Sequence, residues 1–449
     1  MSSSEIEFIQ TIDDLSIAAP NQASFMTTFV LHEQHDWFED EIKFLRTYIK
    51  PGMNIIDIGA NYGVYTLSMA KHISPNGKLW AFEPTPETAS YLNHSIKENK
   101  LQNVTLIEAA LSNKTGIARL YLNKNSELNS LDGDLSSSDE SASVKLLTLD
   151  SCNDKYKWKG IDFIKLDAEG EESNILKKAK SVLKNHSPLV MYELKHGNNV
   201  NTSLINRFKQ MGYSSYRLIP GLNCLVPFDS SVPHDNYLLN LFACNQQKAA
   251  LLKSEEILVD NINPQLYDDV KYASRYISQF PYAATIDIEN NNKTYQTIVS
   301  SYLFSLHGNA TIAHRLSCLL GAIEQINIDV EKTQDLAVLA TYARIYYAAG
   351  ERKKGNELLK KIITSAAQPS KIALSHMCLA AHARYDSIDP GDNLQNWYMA
   401  AIIEKYIEKH AFSCYFTGKK LLPLFEKLRS LGFMSADMQC RENLIRTAF

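Results

Sequence analysis

Two short stretches gather the residue types that chemistry needs. The first is Asn54–Gly63, N-I-I-D-I-G-A-N-Y-G, where one carboxylate, Asp57, sits in an apolar run ahead of Gly59, Ala60, Asn61 and Gly63. The second is Ile161–Glu172, I-D-F-I-K-L-D-A-E-G-E-E, which crowds Lys165, Asp167 and Glu169 together. A carboxylate at a glycine turn repels phosphate and favours an ammonium or sulfonium group. Ionisable groups packed at one strand tip are costly unless they hold a ligand or each other. The plainer readings are that Asp57 is a turn or capping acid, and that Lys165 pairs with Asp167 or Glu169 without doing chemistry.

Glu83 tips the balance. It ends the strand-like run K-L-W-A-F, about twenty residues past Gly63, where an acid at a second strand tip meets ribose hydroxyls. A nucleoside, a positive charge and no phosphate together describe S-adenosylmethionine. The loop is G-A-N-Y-G rather than G-x-G-x-x-G, which weakens the rival reading of a nicotinamide-dependent oxidoreductase. Glu108 follows a third strand at a position that borders the adenine in such folds. Glu193 and His196 stand at the end of a further strand, P-L-V-M-Y-E-L, and are candidates for acid–base work. Clustered carboxylates are also Mg²⁺ ligands by type, but nothing in the sequence supports a metal here.

The elements that must position these residues follow from periodicity. The apolar burst Ile55, Ile56 and Ile58 predicts a buried strand, and V-Y-T-L-S-M-A-K-H-I predicts the helix after the glycine turn. Residues 78–82 and 104–107 read as the next two strands, with a helix over 86–98 begun by Pro86. Residues 161–166 and 188–194 are two more strands, separated by one helix from Gly170 to Leu183. A helix over 201–211 and an antiparallel strand pair over 213–219 and 236–244 close the sheet. Residues 115–122 and 144–149 read as extra strands flanking a Ser-, Asn- and Asp-rich loop, 123–143, placed to cover substrate. A helix over His35–Ile49 precedes the first strand; Glu39 and Glu41 either lean toward the cofactor or, the preferred reading, lie on its solvated face. Residues 1–24 read as a loose lead-in.

At 449 residues the chain is long for one domain. The expected division is a lead-in over 1–29, an α/β domain over 30–245 and a helical accessory domain over 246–449. In the last part strand signals fade, and Leu339–Ile362 resembles one tetratricopeptide repeat: Leu339, Tyr342, Ala343, Tyr346, Gly355, Leu359 and Ile362, with Gly350 in the turn. Flanking helices near 298–330 and 370–411 would stack on it; a plain helical bundle is the alternative. The net charge of −4 gives no footprint for nucleic acid or anionic membrane. No leader and no membrane span is read. Seven scattered cysteines, without C-x-x-C, read as reduced interior thiols of a cytoplasmic protein.

Five pieces in order, W-F-E-D-E, P-G-M-N-I-I-D-I-G-A-N-Y-G-V-Y-T, A-F-E-P, D-F-I-K-L-D-A-E-G-E-E and Y-E-L, make residues 30–245 resemble the FkbM family of S-adenosylmethionine-dependent methyltransferases. One departure is Ala168, where the family more often carries Val. The resemblance implies a Rossmann-like, doubly wound class I methyltransferase sheet and O-methylation of a sugar, polysaccharide or related secondary-metabolite acceptor. It implies cofactor contacts from Asp57, Gly59, Ala60, Asn61, Gly63, Glu83, Glu108 and Asp167. On this reading Asp167 positions the methionine end, Glu169 or His196 is the base, and Lys165 and Glu193 complete the catalytic group. The helical half, tetratricopeptide-like or not, is a surface for the acceptor or a protein partner. The reading of a different class is a non-catalytic scaffold that keeps the fold.

Overall fold

Alternating apolar runs and amphipathic helices wind residues 6–255 into a mixed sheet covered on both faces. The computed structural model describes residues 6–121, 141–196, 199–200, 202–285, 292–365 and 378–449. The chain divides into two compact units. One comprises Met1–Leu218, Leu225–Val232 and Leu238–Glu255; the other comprises Ile219–Cys224, Pro233–Tyr237 and Glu256–Phe449.

The first unit opens not with a loose lead-in but with a hairpin, β1 (Ile6–Gln10) and β2 (Ser16–Pro20), paired antiparallel. Its polar pattern hid a long-range tie. The Asn99 side chain brackets Ser16, accepting from its amide at 2.9 Å and donating to its carbonyl at 2.7 Å, while Ser95 Oγ accepts from the Ala18 amide. A short helix, α1 (Met26–Gln34), follows. α2 (Asp40–Tyr48) starts later than expected because His35 adopts φ +51° and breaks the run. α2 buries Ile42, Phe44, Leu45 and Tyr48.

The central sheet holds β3 (Asn54–Ile58), β4 (Lys78–Phe82), β5 (Val104–Ile107), β9 (Phe163–Leu166), β10 (Leu189–Glu193), β13 (Tyr213–Ile219), β14 (Cys224–Pro227) and β15 (Asn240–Asn245). Their spatial order is β14-β13-β15-β10-β9-β3-β4-β5. β5, β4, β3, β9 and β10 run parallel, and β15 is antiparallel to both β10 and β13. The winding reverses between β3 and β9, so the loops leaving those two strands flank a crevice at the carboxyl edge. α3 (Val64–Ile73) and α4 (Pro86–Glu98) fall where the periodicity put them.

Four further departures have local causes. β6 (Ala110–Leu111), β7 (Gly116–Tyr121) and β8 (Ser141–Leu147), the last two the expected extra strands, form a separate three-stranded sheet with the unforeseen β6. β8 begins three residues before the expected strand; the rest of the loop read as a substrate cover, 123–140, lies outside the described residues. α5 (Leu149–Tyr156), unforeseen, is started by a capping box of Thr148 and Ser151. The single helix expected over 170–183 is two, α6 (Glu172–Lys177) and α7 (Lys180–His186), because Lys178 leaves helical geometry at ψ 38°. α6, α7 and α8 (Thr202–Gln210) cover one sheet face through Ile175, Leu176, Val182, Leu183, Leu204 and Phe208.

The helices after β15 are α9 (Gln246–Ser254), α10 (Val270–Ile277), α11 (Lys293–Ser305), α12 (Ile312–Asp329), α13 (Leu336–Ala348), α14 (Arg352–Ser365), α15 (Leu394–Lys409), α16 (Leu422–Ser430) and α17 (Ala436–Ala448). α13 and α14 form the expected hairpin, with Gly350 at φ +82° in the turn. Gly355 sits against the Tyr347 ring, where a Cβ would lie 2.7 Å away. Of the flank expected over 370–411, α15 and a 3₁₀ turn at Ala383–Ser387 are described. Among the described residues no helix is long and apolar enough to cross a membrane. Six cysteines are buried and Cys440 is exposed, so not all are interior thiols.

Candidate active site

The glycine loop is shaped by how closely the strand tips approach. Gly59, Asn61 and Gly63 have φ of +77°, +48° and +92°, a left-handed series that L-residues with a Cβ resist. A Cβ on Gly59 would stand 1.8 Å from the Asp167 carbonyl oxygen, so only glycine lets the loop after β3 cross the tip of β9. The Gly59 and Ala60 amides both donate to the Phe82 carbonyl at 3.0 Å, laying the loop on β4. Gly63 caps α3, and a Cβ there would meet Leu92 at 2.4 Å.

Glu83 binds the two tips together. Its carboxylate accepts from the Asn61 amide and the Thr85 amide, each at 2.9 Å. It is buried, and that burial lifts its pKa to about 7. The Thr85 hydroxyl bonds it as well, so these donors leave about one of its four lone-pair sites for a ligand hydroxyl.

Asp57 is deeper than a carboxylate at the mouth of the loop. It is fully buried; Oδ2 accepts from Thr66 Oγ1 at 2.6 Å, and Oδ1 has Lys165 Nζ at 4.0 Å with no hydrogen bond. Burial pushes its pKa up, opposed by the Lys165 charge. Lys165 pairs in register with Asp57 across β3 and β9, and its ammonium donates to Asp167 Oδ2 at 2.7 Å. The ammonium also lies 5.2 Å from the centroid of the Tyr65 ring. The lysine is buried, yet its two carboxylate neighbours overcome desolvation and keep it charged. Asp167 is 38% exposed and faces the crevice. Glu169 follows at φ +48°, half-buried, on a turn tied down by Glu172, which accepts from the Ala168 and Gly170 amides at 2.8 and 3.3 Å.

The other candidates divide. Glu193 stands half-buried at the end of β10; burial, then the charges of Asp167, Glu169, Glu172 and Glu39, raises its pKa to about 10. Burial thus favours its neutral form, in which it can donate a hydrogen bond. Glu108 is exposed beyond β5 and is not drawn into the charged cluster. His196 falls in a two-residue strand, and its side chain lies outside the described residues. Asp167, Glu169 and Glu193 do not converge as a metal-binding set. Among the described residues the three-ligand group that does is His382, Glu404 and Glu408, in the helical unit.

Sequence reasoning missed one part of the site. Glu39 and Glu41 are not on a solvated face: Glu41 is buried, and its pKa rises to about 8 through burial and then Glu39. Glu39 Oε2 accepts from Tyr65 Oη at 2.5 Å and Asn240 Nδ2 at 3.0 Å, while Oε1 accepts from Trp37 Nε1 at 3.3 Å. Asn240 is the β15 partner of Glu193. The available signal was the acid's place in W-F-E-D-E, directly after two aromatic residues.

These groups fit a cationic nucleoside. The glycine cradle leaves no room for a Cβ, Glu83 keeps acceptor capacity, and one lysine stands among Asp57, Asp167, Glu39 and Glu193.

Residues 57–215 match the methyltransferase FkbM domain family. No curated protein matches the chain. Among solved structures, an FkbM methyltransferase of Methylobacillus flagellatus is similar at 16% identity and TM-score 0.30, over 43% of this chain and 43% of that one. The match thus spans less than half of that protein. A methyltransferase of Aquifex aeolicus that depends on S-adenosylmethionine matches at 15% identity and TM-score 0.29, over 48% of this chain and 91% of its own. An S-adenosylmethionine-dependent O-methyltransferase of Thermotoga maritima matches at 17% identity and TM-score 0.29, over 54% and 77%. Within the sheet unit, residues 57–215 are thus the stretch that resembles a methyltransferase domain.

Proposed function

We propose that this methyltransferase is an O-methyltransferase acting on a hydroxyl of a sugar, polysaccharide or related secondary-metabolite acceptor. The observation that carries the reading is the meeting of Gly59 with the Asp167 backbone beneath a carboxylate-rich crevice holding one buried lysine. When bound, S-adenosylmethionine supplies an electrophilic methyl group on a sulfonium. Glu83 would take the ribose hydroxyls, Gly59, Ala60, Asn61 and Gly63 the backbone contacts, and Glu108 the edge of the base. Asp167 would hold the methionine ammonium, while buried Asp57 fixes the loop through Thr66 and Lys165. Transfer to oxygen is an in-line displacement, so rigid placement of the acceptor does much of the work. Lys165 donates to Asp167 at 2.7 Å and so fixes the direction of its carboxylate. Glu169 and His196 are candidate bases, and Glu193 is an acceptor-binding donor.

We also assign residues 30–245 to the transferase domain and 246–449 to an accessory domain, tetratricopeptide-like around α13 and α14, that presents the acceptor or a protein partner. Catalysis in the cytoplasm belongs to the same reading. Calorimetric titration with S-adenosylmethionine tests the cofactor, and tritium transfer from its labelled methyl group to a panel of methyl glycosides tests the acceptor. Binding with label in base-stable ether linkage supports the proposal. Binding with label only on nitrogen acceptors removes the O-transfer reading, and absence of binding leaves the scaffold.

A further inference from the structure

Resting on the O-methyltransferase reading, we propose that Glu39 is the catalytic base that takes the acceptor hydroxyl's proton. Glu39 lies outside the stretch that matches the family, 57–215, and reaches the crevice from the chain just before α2. A carboxylate offers about four lone-pair sites. Three are engaged, by Tyr65 Oη, Asn240 Nδ2 and Trp37 Nε1. One remains, on Oε1, whose single contact at 3.3 Å is the longest of the three. The three neutral donors fix the carboxylate's direction without neutralising it, as an ion pair would.

Position supports the same assignment. Tyr65 sits in the first turn of α3, just after the glycine loop, and Lys165 Nζ lies over its ring at 5.2 Å while holding Asp167 at 2.7 Å. Glu39 is therefore separated from the loop apex by one aromatic side chain. Asn240 anchors it from the other side, opposite Glu193 at the carboxyl edge. The competing acids are compromised. Asp167 is ion-paired with Lys165, and burial pushes Glu193 and Glu41 toward the protonated form, whereas Glu39, also raised by burial, has its carboxylate aimed by three neutral donors with one lone pair open. Burial and the Asp167 charge raise the basicity of Glu39 above that of a surface carboxylate. In the step, Glu39 gains the hydroxyl proton and the acceptor oxygen gains the methyl group. The electron pair of the broken carbon–sulfur bond stays on the donor sulfur.

The test needs no acceptor. Sinefungin carries an amine where the donor carries its transferable methyl, so a base facing the methyl position binds that ammonium; S-adenosylhomocysteine has nothing there. Calorimetry at pH 7.5 should show the wild type preferring sinefungin by about 10-fold, the scale of one charge-assisted hydrogen bond. Glu39→Gln should bring that ratio close to one while leaving S-adenosylhomocysteine affinity within about 2-fold, and Glu193→Gln should leave the ratio intact. A ratio unchanged in Glu39→Gln, or lost in Glu193→Gln or Glu169→Gln instead, overturns the assignment. If Glu39→Gln fails to fold, Tyr65→Phe carries the same comparison. It frees a lone pair and misaligns the carboxylate, so a shift of about 3-fold supports the proposal and none refutes it. Failure of the wild type to bind either compound defeats the cofactor reading, a separate outcome.

Discussion

Replacing Lys165 with Met keeps the side chain's bulk and deletes the cation between Asp57 and Asp167. The two carboxylates respond differently. Asp167 is 38% exposed and rehydrates, so its loss of partner costs little. Asp57 is fully buried, with Thr66 as its one hydrogen-bond partner and Lys165 as its one cation. Stranding a buried charge costs about 3–5 kcal/mol. Protonation caps that cost: neutralising a carboxylate of ordinary pKa 3.9 takes about 5 kcal/mol at pH 7.5 but only about 1.5 kcal/mol at pH 5. Asp57 is already raised by burial, and without Lys165 it rises further. A carboxyl raised in the folded state contributes stability that is present below its unfolded pKa and lost as pH climbs through the folded value. The Lys165→Met penalty is therefore expected near 4 kcal/mol at pH 7.5, roughly 8–16 °C in melting temperature for a domain of 150–250 residues, and well under half of that at pH 5. Adding Asp57→Asn should restore most of the loss, since the stranded charge is gone. Calorimetric melts of the wild type, both single variants and the double variant at the two pH values measure this. A penalty under about 1 kcal/mol, one independent of pH, or no offset from Asp57→Asn would refute the reasoning.

Gly59→Ala should be far worse than Gly52→Ala, although both glycines have positive φ. The Gly52 Cβ meets open space, so about 1 kcal/mol of backbone strain is expected, whereas the Gly59 Cβ meets a backbone oxygen at 1.8 Å and should cost more than about 4 kcal/mol. Similar melting temperatures for the two variants would show that the strand tips part easily. Glu83, raised to about 7 from 4.5 by burial, should draw about 3 kcal/mol from stability as pH rises between those values. Glu83→Gln should be flatter over that window in melts from pH 4.5 to 8, and a parallel slope would contradict it. Glu193→Gln should gain on the wild type from about pH 4.5 upward, because a carboxyl raised to about 10 loses the wild type stability across that whole window, on the order of 4 kcal/mol by pH 7.5. A loss above about 2 kcal/mol at pH 7.5 would mean that Glu193 is held ionised.

The doubly wound core was legible because its signals are local. Residues 54–58, 64–73, 78–82 and 86–98 carry their own period of two or of 3.6, and Pro86 marks a helix start without help from the rest of the chain. Elements fixed by distant partners were not legible. The β1–β2 hairpin is secured by Ser95 and Asn99, 77 and 83 residues away. The break between α6 and α7 lies in a run with apolar residues at helical spacing on both sides of Lys178. In the site, Asp57, Gly59, Glu83, Lys165 and Asp167 were visible as chemistry-bearing residues at strand ends, whereas Glu39 was not. Its burial comes from Tyr65, 26 residues on, and Asn240, 201 residues on, and no window of sequence contains both.

The charge count at the crevice is itself an argument about the ligand. Glu39, Asp57 and Glu193 are all pushed toward the neutral form, chiefly by desolvation, while Lys165 is held charged by Asp167 and Asp57. Such a site resists a second anion and gains from a cation, because each carboxylate it ionises turns a desolvation cost into an attraction. A sulfonium with an adjacent ammonium meets that requirement; a neutral or pyrophosphate-bearing nucleotide does not. The proposed base obeys the same electrostatics: a Glu39 carboxylate screened from water by Tyr65 and Trp37 is a stronger base than a surface carboxylate, as removal of an acceptor hydroxyl's proton requires.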